Sequence, residues 1–429
     1  MTTMRLPGDK SISHRALVLA SLADGACRLS NLPGSADVAA SRVALASLGA
    51  DLSPLRDTSL IARSPSDWTR DEVTIDCGNS GTTARLLAGL LTGLGAPALL
   101  DGDGSLRRRP MDRVVYPLQS MGGRIVYTDR RDRLPIRISA RTTGSLRVLR
   151  YRGRIASAQV KSALLLAGLA GRTEVEVREP RLSRDHTERM LRALGAPLTV
   201  ESLEDEGARV TLAPEASEYR IPAFDLEIPG DISSGAFLLA AGLLAGRPVR
   251  VEEVGLNPTR TAFLDLLRAS GVEIRQEVTD ERLGEPVGHV ELDPGPYRGF
   301  EIGAEIVPSV IDEIPVLAAL AARAEGPSRI TGAEELRHKE SDRLAALASN
   351  LRALGIEVEE APDGLAIEGT RESLAGQVRS FGDHRIAMAF AVLGVDPAVR
   401  VSVDDPGCSR VSYPGFTDDL ERFLGGEGA

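Results

Sequence analysis

The sequence predicts an α/β protein built from six repeated units, grouped as two domains of three. Polar and charged clusters open directly onto apolar, helix-like runs near Ser13, Ser80, Ser157, Ser233, Asp312 and Asp383, at spacings of 67, 77, 76, 79 and 71 residues. A second marker, Leu-x-x-x-Gly before a short apolar stretch, ends at Gly49, Gly122, Gly195, Gly271 and Gly355, spaced 73, 73, 76 and 84 residues. Two markers with one period imply stacked supersecondary units rather than one irregular core. The chain has 429 residues, more than the roughly 250–300 that one core accommodates, so the units divide between two domains.

The third unit shows how the elements are read. Ser157 stands where an N-cap belongs, and the run Ser162 to Ala170 ends at Gly171, a residue suited to stopping a helix. Thr173 to Val177 alternates and is rich in β-branched residues, as a strand requires. His186 to Leu194 reads as a second helix stopped by Gly195, and Leu198 to Val200 as another strand. The opening helices are Ala/Leu-rich nearly all round, which predicts burial rather than a surface position. The break between domains falls at Ile221-Pro222 to Pro229-Gly230. This gives an N-terminal domain of 8–226 and a C-terminal domain of 227–429, with 1–7 and 221–230 as hinge strands.

Composition narrows the function. The chain is 42% hydrophobic with a formal net charge of −10, and only 3% aromatic. Such a chain is a poor general nucleic-acid binder and offers no stacking platform for single strands. Cys27, Cys77 and Cys408 lack metal-ligand spacing, and an odd count suits a reducing cytoplasm. The segment Met1 to Arg15 does not read as a signal peptide, and Ala16 to Ala23 is too short to span a bilayer.

The charges concentrate where anions bind. Helix N-termini present unpaired N–H groups and the positive end of a dipole. Here several of them also carry cations: Gly8-Asp9-Lys10-Ser11 through Arg15, Gly78-Asn79-Ser80-Gly81 through Arg85, and Gly382-Asp383-His384-Arg385. Cations in a first turn oppose the dipole, so stability alone would place Asp or Glu there. Each cluster taken singly reads as caps or solvated surface, and Arg107-Arg108-Arg109-Pro110 as a solvated loop. Their recurrence at equivalent positions in a net-acidic chain points to small multi-anionic substrates. In Leu336 to Arg343, Lys339 and Arg343 are i, i+4 and are expected on one helix face. Its plain reading is an exposed, salt-bridged helix; with Asp312, Glu340 also forms a candidate proton-transfer pair. No P-loop, dinucleotide fingerprint, zinc-protease motif, nucleophile elbow or paired Cys-x-x-Cys is present.

Eight segments in order carry a family resemblance: LPGDKSISHRA (6–16), GNSGTTAR (78–85), RRPMDRV (108–114), ASAQVKSALLLAGL (156–169), SRDHTE (183–188), IDEIP (311–315), LRHKESDRL (336–344) and GDHRIAMAF (382–390). The chain resembles the 5-enolpyruvylshikimate-3-phosphate synthase family of enolpyruvyl transferases over nearly its whole length. The resemblance implies two domains of three βαβαββ units around a ligand cleft. It also implies transfer of the enolpyruvyl group of phosphoenolpyruvate to the 5-hydroxyl of shikimate 3-phosphate, in chorismate and aromatic amino acid biosynthesis. Both substrates are phosphorylated carboxylates, which accounts for the cations at the helix starts. By position, Lys10 touches both substrates, and Ser11 and Arg15 hold shikimate 3-phosphate, Arg15 through its carboxylate. Ser157 and Arg184 hold its phosphate, with Gln159 between the ligands. Gly81, Arg109, Arg343 and Arg385 bind phosphoenolpyruvate, and Lys339 reaches the shikimate hydroxyls. Asp312 is implied as the base and Glu340 as the acid–base at the methylene carbon, in dry surroundings and supported by His384. Neither metal nor organic cofactor is implied, and the family implies a cytoplasmic monomer without nucleic-acid or membrane partners.

Two departures stand out. A short N-terminal strand common in the family is expected to be missing. Val411, beside Arg410, occupies the position where many members carry a lysine ligand. The nearest rival, enolpyruvyl transfer to a UDP-amino sugar, calls for Lys-Asn in the first motif and a Cys between Asp101 and Pro110; the chain has Lys10-Ser11 and no such Cys. A non-catalytic phospho-ligand binder would not need Asp312 and Glu340 among its cations. An RNA-terminus enzyme built on similar repeats conflicts with the net acidity.

Overall fold

A computed structural model describes residues 1–141, 144–204, 207–214 and 219–425. The chain divides into two compact units. One comprises Gly8–Ile228 with Arg282–Glu285; the other comprises Met1–Pro7, Pro229–Glu281 and Pro286–Ala429. Each has its own apolar core. Among the described residues no helix is long and apolar enough to cross a membrane.

In the N-terminal unit the helices are α1 (Lys10–Ala20), α2 (Ala36–Ser47), α3 (Gly81–Leu94), α4 (Asp112–Ser120), α5 (Ala158–Gly171) and α6 (His186–Ala193). The C-terminal unit has α7 (Ile232–Ala245), α8 (Ala262–Ala269), α9 (Val307–Val310), α10 (Ile314–Ala321), α11 (Arg343–Ala353), α12 (His384–Leu393) and α13 (Phe416–Gly425). The six polar-to-apolar transitions of the sequence mark the starts of α1, α3, α5, α7, α10 and α12. These helices are buried on nearly every side, as their all-round apolar character requires, whereas α6 and α8 bury one stripe. Small residues bring α3 and α5 into backbone contact. A Cβ at Gly89 would lie 2.0 Å from the Ala163 carbonyl oxygen, and one at Gly93 2.7 Å from that of Ala167.

The five Leu-x-x-x-Gly markers are helix stops. Their glycines sit at φ between +79° and +109°, a conformation that costs other residues more. In each, the Gly N–H and the next N–H turn back onto the helix; Ala50 donates to Leu45 and Ile356 to Leu351, both at 3.0 Å. These are Schellman closures of α2, α4, α6, α8 and α11. The expected Gly stop also holds for α3 and α7, at Gly95 and Gly246. It does not hold for α5, which runs through Gly171 and ends on Arg172 at φ +51°. Gly171 serves packing instead, since a Cβ there would meet Leu146 Cδ1 at 2.6 Å.

Among the described residues, five of the six sheets have four strands in one order: a parallel pair, then a strand antiparallel to it, then a fourth strand. In the N-terminal unit, Val73–Asp76 pairs parallel with Ala98–Asp101 and Leu149–Arg152 with Val175–Glu179, with α3 and α5 as the crossovers. The sixth sheet holds only the parallel pair Leu374–Val378 and Val399–Val403. Two parallel partners come from elsewhere in the chain. Asp225–Glu227, after the third repeat, pairs with Arg28–Ser30 in the N-terminal unit. Thr2–Arg5, at the chain start, pairs with Val249–Glu252 in the C-terminal unit. The N-terminal strand expected to be missing is therefore present: a few residues suffice, because a parallel edge is waiting for them.

Candidate active site

The N-terminal unit gathers its expected residues around the starts of α1, α3 and α5. Asp9 caps α1 by accepting from Ile12 N–H at 2.9 Å. Lys10, the first helical residue, reaches Asp37 Oδ2 at 2.6 Å. The Thr83 hydroxyl, with one hydrogen to give, lies 2.8 Å from the hydroxyl of Ser80, the N-cap of α3, and 3.3 Å from the Asp37 carbonyl. Thr83 further meets Ser41, which holds His14 Nδ1 at 2.7 Å. Burial pulls the His14 pKa down to about 3, so the ring is neutral in this chain of hydroxyls.

Arg15 is buried, its Nε 2.7 Å from Thr187 Oγ1 and one Nη 2.7 Å from Ser162 Oγ, while the other donates to the Ser11 carbonyl. Burial lowers its pKa to about 10, against the opposing pull of Glu188. Each Nη keeps a second hydrogen for a ligand. Around Gly81, Arg85 donates to Gln159 Oε1 at 2.8 Å and to the Pro110 carbonyl at 3.0 Å, and Gln159 donates to Thr82 at 3.0 Å. A Cβ on Gly81 would lie 2.5 Å from Arg85 Nη1 and 3.2 Å from Arg109 Nη1.

The stretch expected as a solvated arginine loop is more ordered. Leu106–Arg108 forms a 3-10 turn, Arg107 pairs with Asp101, and Arg109 is buried and donates to Asn79 Oδ1 at 2.7 Å. Ser157 is the N-cap of α5, yet its hydroxyl makes no capping bond, unlike the side chains of Asp9 and Ser80. Arg184 lies half-buried just before α6.

The C-terminal unit centres on Arg343. Its guanidinium is 1% exposed and contacts three acids: Asp383 at 2.8 Å, Glu340 at 2.7 Å and Asp312 at 3.7 Å. Burial works to lower the Arg343 pKa, but Asp383 and Glu340 outweigh it and hold it raised. Asp383, buried too, is held below the usual carboxylate range by Arg343 despite burial. It also caps α12 through Arg385 N–H at 2.9 Å. Arg385 donates to the Asp312 carbonyl at 2.6 Å, with its Nε 3.7 Å from the Asp312 carboxylate. His384 opens α12 and is buried beside Asp383.

One expectation needs correction here. Lys339 and Arg343 do not share a helix. A 3-10 turn ends at His338, Lys339 is extended, and α11 begins at Arg343 because Asp342 caps it by accepting from Ala345 N–H at 3.0 Å. Lys339 is half-buried; burial lowers its pKa, opposed first by Asp312. The Glu340 side chain is mostly buried, with the Arg343 guanidinium at its carboxylate. Val411, where the resemblance led to an expected lysine, is half-buried, and Arg410 beside it is exposed.

Sequence reasoning passed over the partners of these groups. Asp37, Arg85, Ser162, Thr187 and Asp383 each hold a ligand-binding candidate in place. Arg85 carried a legible signal, a cation in an otherwise apolar buried helix, whereas the partner role of Asp37 carried none.

A family model described as EPSP synthase (3-phosphoshikimate 1-carboxyvinyltransferase) matches residues 1–420. The 3-phosphoshikimate 1-carboxyvinyltransferase of Thermus thermophilus is 47% identical over 422 residues, covering 98% of this chain and 96% of its own. That of Synechococcus sp. (strain RCC307) is 44% identical, with 98% and 96% covered. Among solved structures, EPSP synthase from Acinetobacter baumannii superposes with a TM-score of 0.81 at 33% identity, covering 98% of this chain and 95% of that one. The enolpyruvyl transferase NikO from Streptomyces tendae shares the fold at a TM-score of 0.74 and 21% identity, over 99% and 95% of the two chains. Taken with the six repeats and the cationic helix starts, these matches place the chain in the EPSP synthase (3-phosphoshikimate 1-carboxyvinyltransferase) family.

Proposed function

We propose that the chain transfers the enolpyruvyl group of phosphoenolpyruvate to the 5-hydroxyl of shikimate 3-phosphate, releasing phosphate, and that the residues gathered above carry out the steps. Asp312 takes the 5-hydroxyl proton as that oxygen attacks C2 of phosphoenolpyruvate. Glu340 delivers a proton to the methylene carbon, giving a tetrahedral adduct, then takes one back as phosphate departs carrying the proton that Asp312 had accepted, so atoms and charge balance and both acids return to their starting states. His384 supports Glu340. Lys10, Ser11 and Arg15 hold shikimate 3-phosphate, with Ser157 and Arg184 on its phosphate and Gln159 between the ligands. Gly81, Arg109, Arg343 and Arg385 hold phosphoenolpyruvate, and Lys339 reaches the shikimate hydroxyls. The phosphate and carboxylate charges are met by fixed cations. The chain acts as a cytoplasmic monomer in this reading.

The observation that carries the reading is the placing of Asp312 and Glu340 on one buried arginine, Arg343, at 3.7 and 2.7 Å. Pure anion binding gains nothing from two acids beside its cation. The test is phosphate release from phosphoenolpyruvate with shikimate 3-phosphate or a UDP-amino sugar as acceptor, for the parent chain and Asp312→Asn. Release with shikimate 3-phosphate alone, lost in the variant, is expected. Release with the amino sugar, or undiminished in the variant, overturns the acceptor or the base respectively.

A further inference from the structure

The motifs ASAQVKS and SRDHTE contain a lysine and a glutamate that the reaction leaves unused, Lys161 and Glu188. Both are buried, and they meet a third, Glu179. Lys161 Nζ lies 2.7 Å from Glu179 Oε2 and 2.7 Å from Glu188 Oε1, with no exposed side-chain surface of its own. The two carboxylates outweigh burial and hold the Lys161 pKa above its ordinary value. Such a cluster costs desolvation and gives little net stability.

The contacts of Glu179 suggest what that cost supports. Glu179 ends the strand Val175–Glu179. Its Oε1 accepts from Ser157 N–H at 3.1 Å and from Ser183 Oγ at 2.6 Å. Its Oε2 accepts from Ser183 N–H at 3.2 Å and from Lys161. Lys161 also donates to the Ser183 carbonyl at 3.3 Å. One carboxylate thus ties the start of α5 to the segment before α6, and both backbone polar groups of Ser183 are fixed by the Glu179–Lys161 pair. Ser157 and the residue after Ser183, Arg184, are the two groups assigned to the shikimate phosphate. The Ser157 hydroxyl makes no capping bond, and the Glu179 carboxylate takes the Ser157 N–H instead.

We propose that Glu179, held by Lys161, is a positioning residue that sets the distance between Ser157 and Arg184 and so determines affinity for the phosphate of the acceptor substrate. The proposal rests on the assignment of Ser157 and Arg184 above. Groups that act through the residues touching a ligand change affinity by about 10- to 100-fold when removed, as documented around metal sites.

The test compares the binding of shikimate 3-phosphate and of shikimate, which lacks the phosphate, by calorimetry on the full chain. Glu179→Gln keeps the shape and removes the charge. It is expected to weaken shikimate 3-phosphate by about 10- to 100-fold while leaving shikimate nearly unchanged. Equal weakening of both ligands would mean a merely structural role and overturn the proposal, as would no weakening. If Glu179→Gln fails to fold, Ser183→Ala and Lys161→Arg are scored by the same ratio. Ser183→Ala is expected to lower it and Lys161→Arg to preserve it; an unchanged ratio in Ser183→Ala overturns the proposal. Ser157→Ala and Arg184→Ala separate the two levels. If neither alters the ratio, the phosphate assignment fails; if they do and Glu179→Gln does not, only the positioning role fails.

Discussion

The two units set their cations against different partners. In the N-terminal unit Arg15 is held by two hydroxyls and a carbonyl, Arg85 by an amide and a carbonyl, and Arg109 by an amide. In the C-terminal unit Arg343 and Arg385 lie against Asp312, Glu340 and Asp383. Neutral acceptors orient a guanidinium without cancelling its charge, so the first arrangement offers net positive charge to an anion. Carboxylates cancel that charge but add groups that can move a proton. In the proposed reading, the same repeat serves as a holding surface in one unit and for proton transfer in the other. Lys10, paired with Asp37, departs from this pattern.

The strongest way to break this contrast is Asp312→Asn. Loss of a general base lowers kcat by about 10²–10⁴-fold, with KM for shikimate 3-phosphate little changed. Steady-state kinetics showing a KM effect alone would move Asp312 to the holding side.

Asp383→Asn comes next. It leaves the Arg343 guanidinium without its fully buried carboxylate partner, 2.8 Å away, and breaking such a pair costs about 3–5 kcal/mol. Urea denaturation at neutral pH reads the loss. A cost under about 1 kcal/mol, the range of exposed pairs, would show that Arg343 is solvated in solution.

The hydroxyl chain of the N-terminal unit is tested by pH. His14 is neutral when folded, with a pKa near 3 against 6.5 for the ordinary ring. Between these values the unfolded chain binds more protons, so stability falls as pH drops through that window. From pH 7 to pH 5 the parent chain is expected to lose about 2 kcal/mol more than His14→Gln. Parallel pH profiles of the two would place the ring in a charged setting and weaken the contrast.

The smallest expected effect comes from Gly81→Ala. Its Cβ displaces the Nη atoms of Arg85 and Arg109, raising KM for phosphoenolpyruvate about tenfold, within the ~1–3 kcal/mol typical of overpacking. Glyphosate is expected to compete with phosphoenolpyruvate in the parent chain. Absence of competition at millimolar inhibitor would separate Gly81 from the phosphoenolpyruvate side.

How much of this could be read from the chain alone depends on locality. The starts of α1 and α3 and the five Schellman glycines are written in a few adjacent residues, so local chemistry reveals them. The site candidates were legible because cations at dipole-positive helix starts violate a local rule. Their partners were not. Thr187 reaches Arg15 across 172 residues of chain, and nothing around Thr187 announces it. Lys161 did carry a signal, a charge within ASAQVKSALLLAGL, which demands a buried partner without saying that the partners are Glu179 and Glu188. The helix expected across Lys339 and Arg343 failed because i, i+4 spacing was weighed ahead of the capping Asp342 between them.

The borrowed edge strands give the chain a direction in time. Every strand of the three N-terminal sheets lies between residues 8 and 228, so those sheets can be complete once that stretch has left the ribosome. Thr2–Arg5, made before that stretch, has no strand partner until Val249–Glu252 emerges. These residues therefore precede the N-terminal unit in the chain yet belong to a sheet whose other strands all follow it, and removing them would spare the N-terminal sheets and leave that sheet without its edge strand.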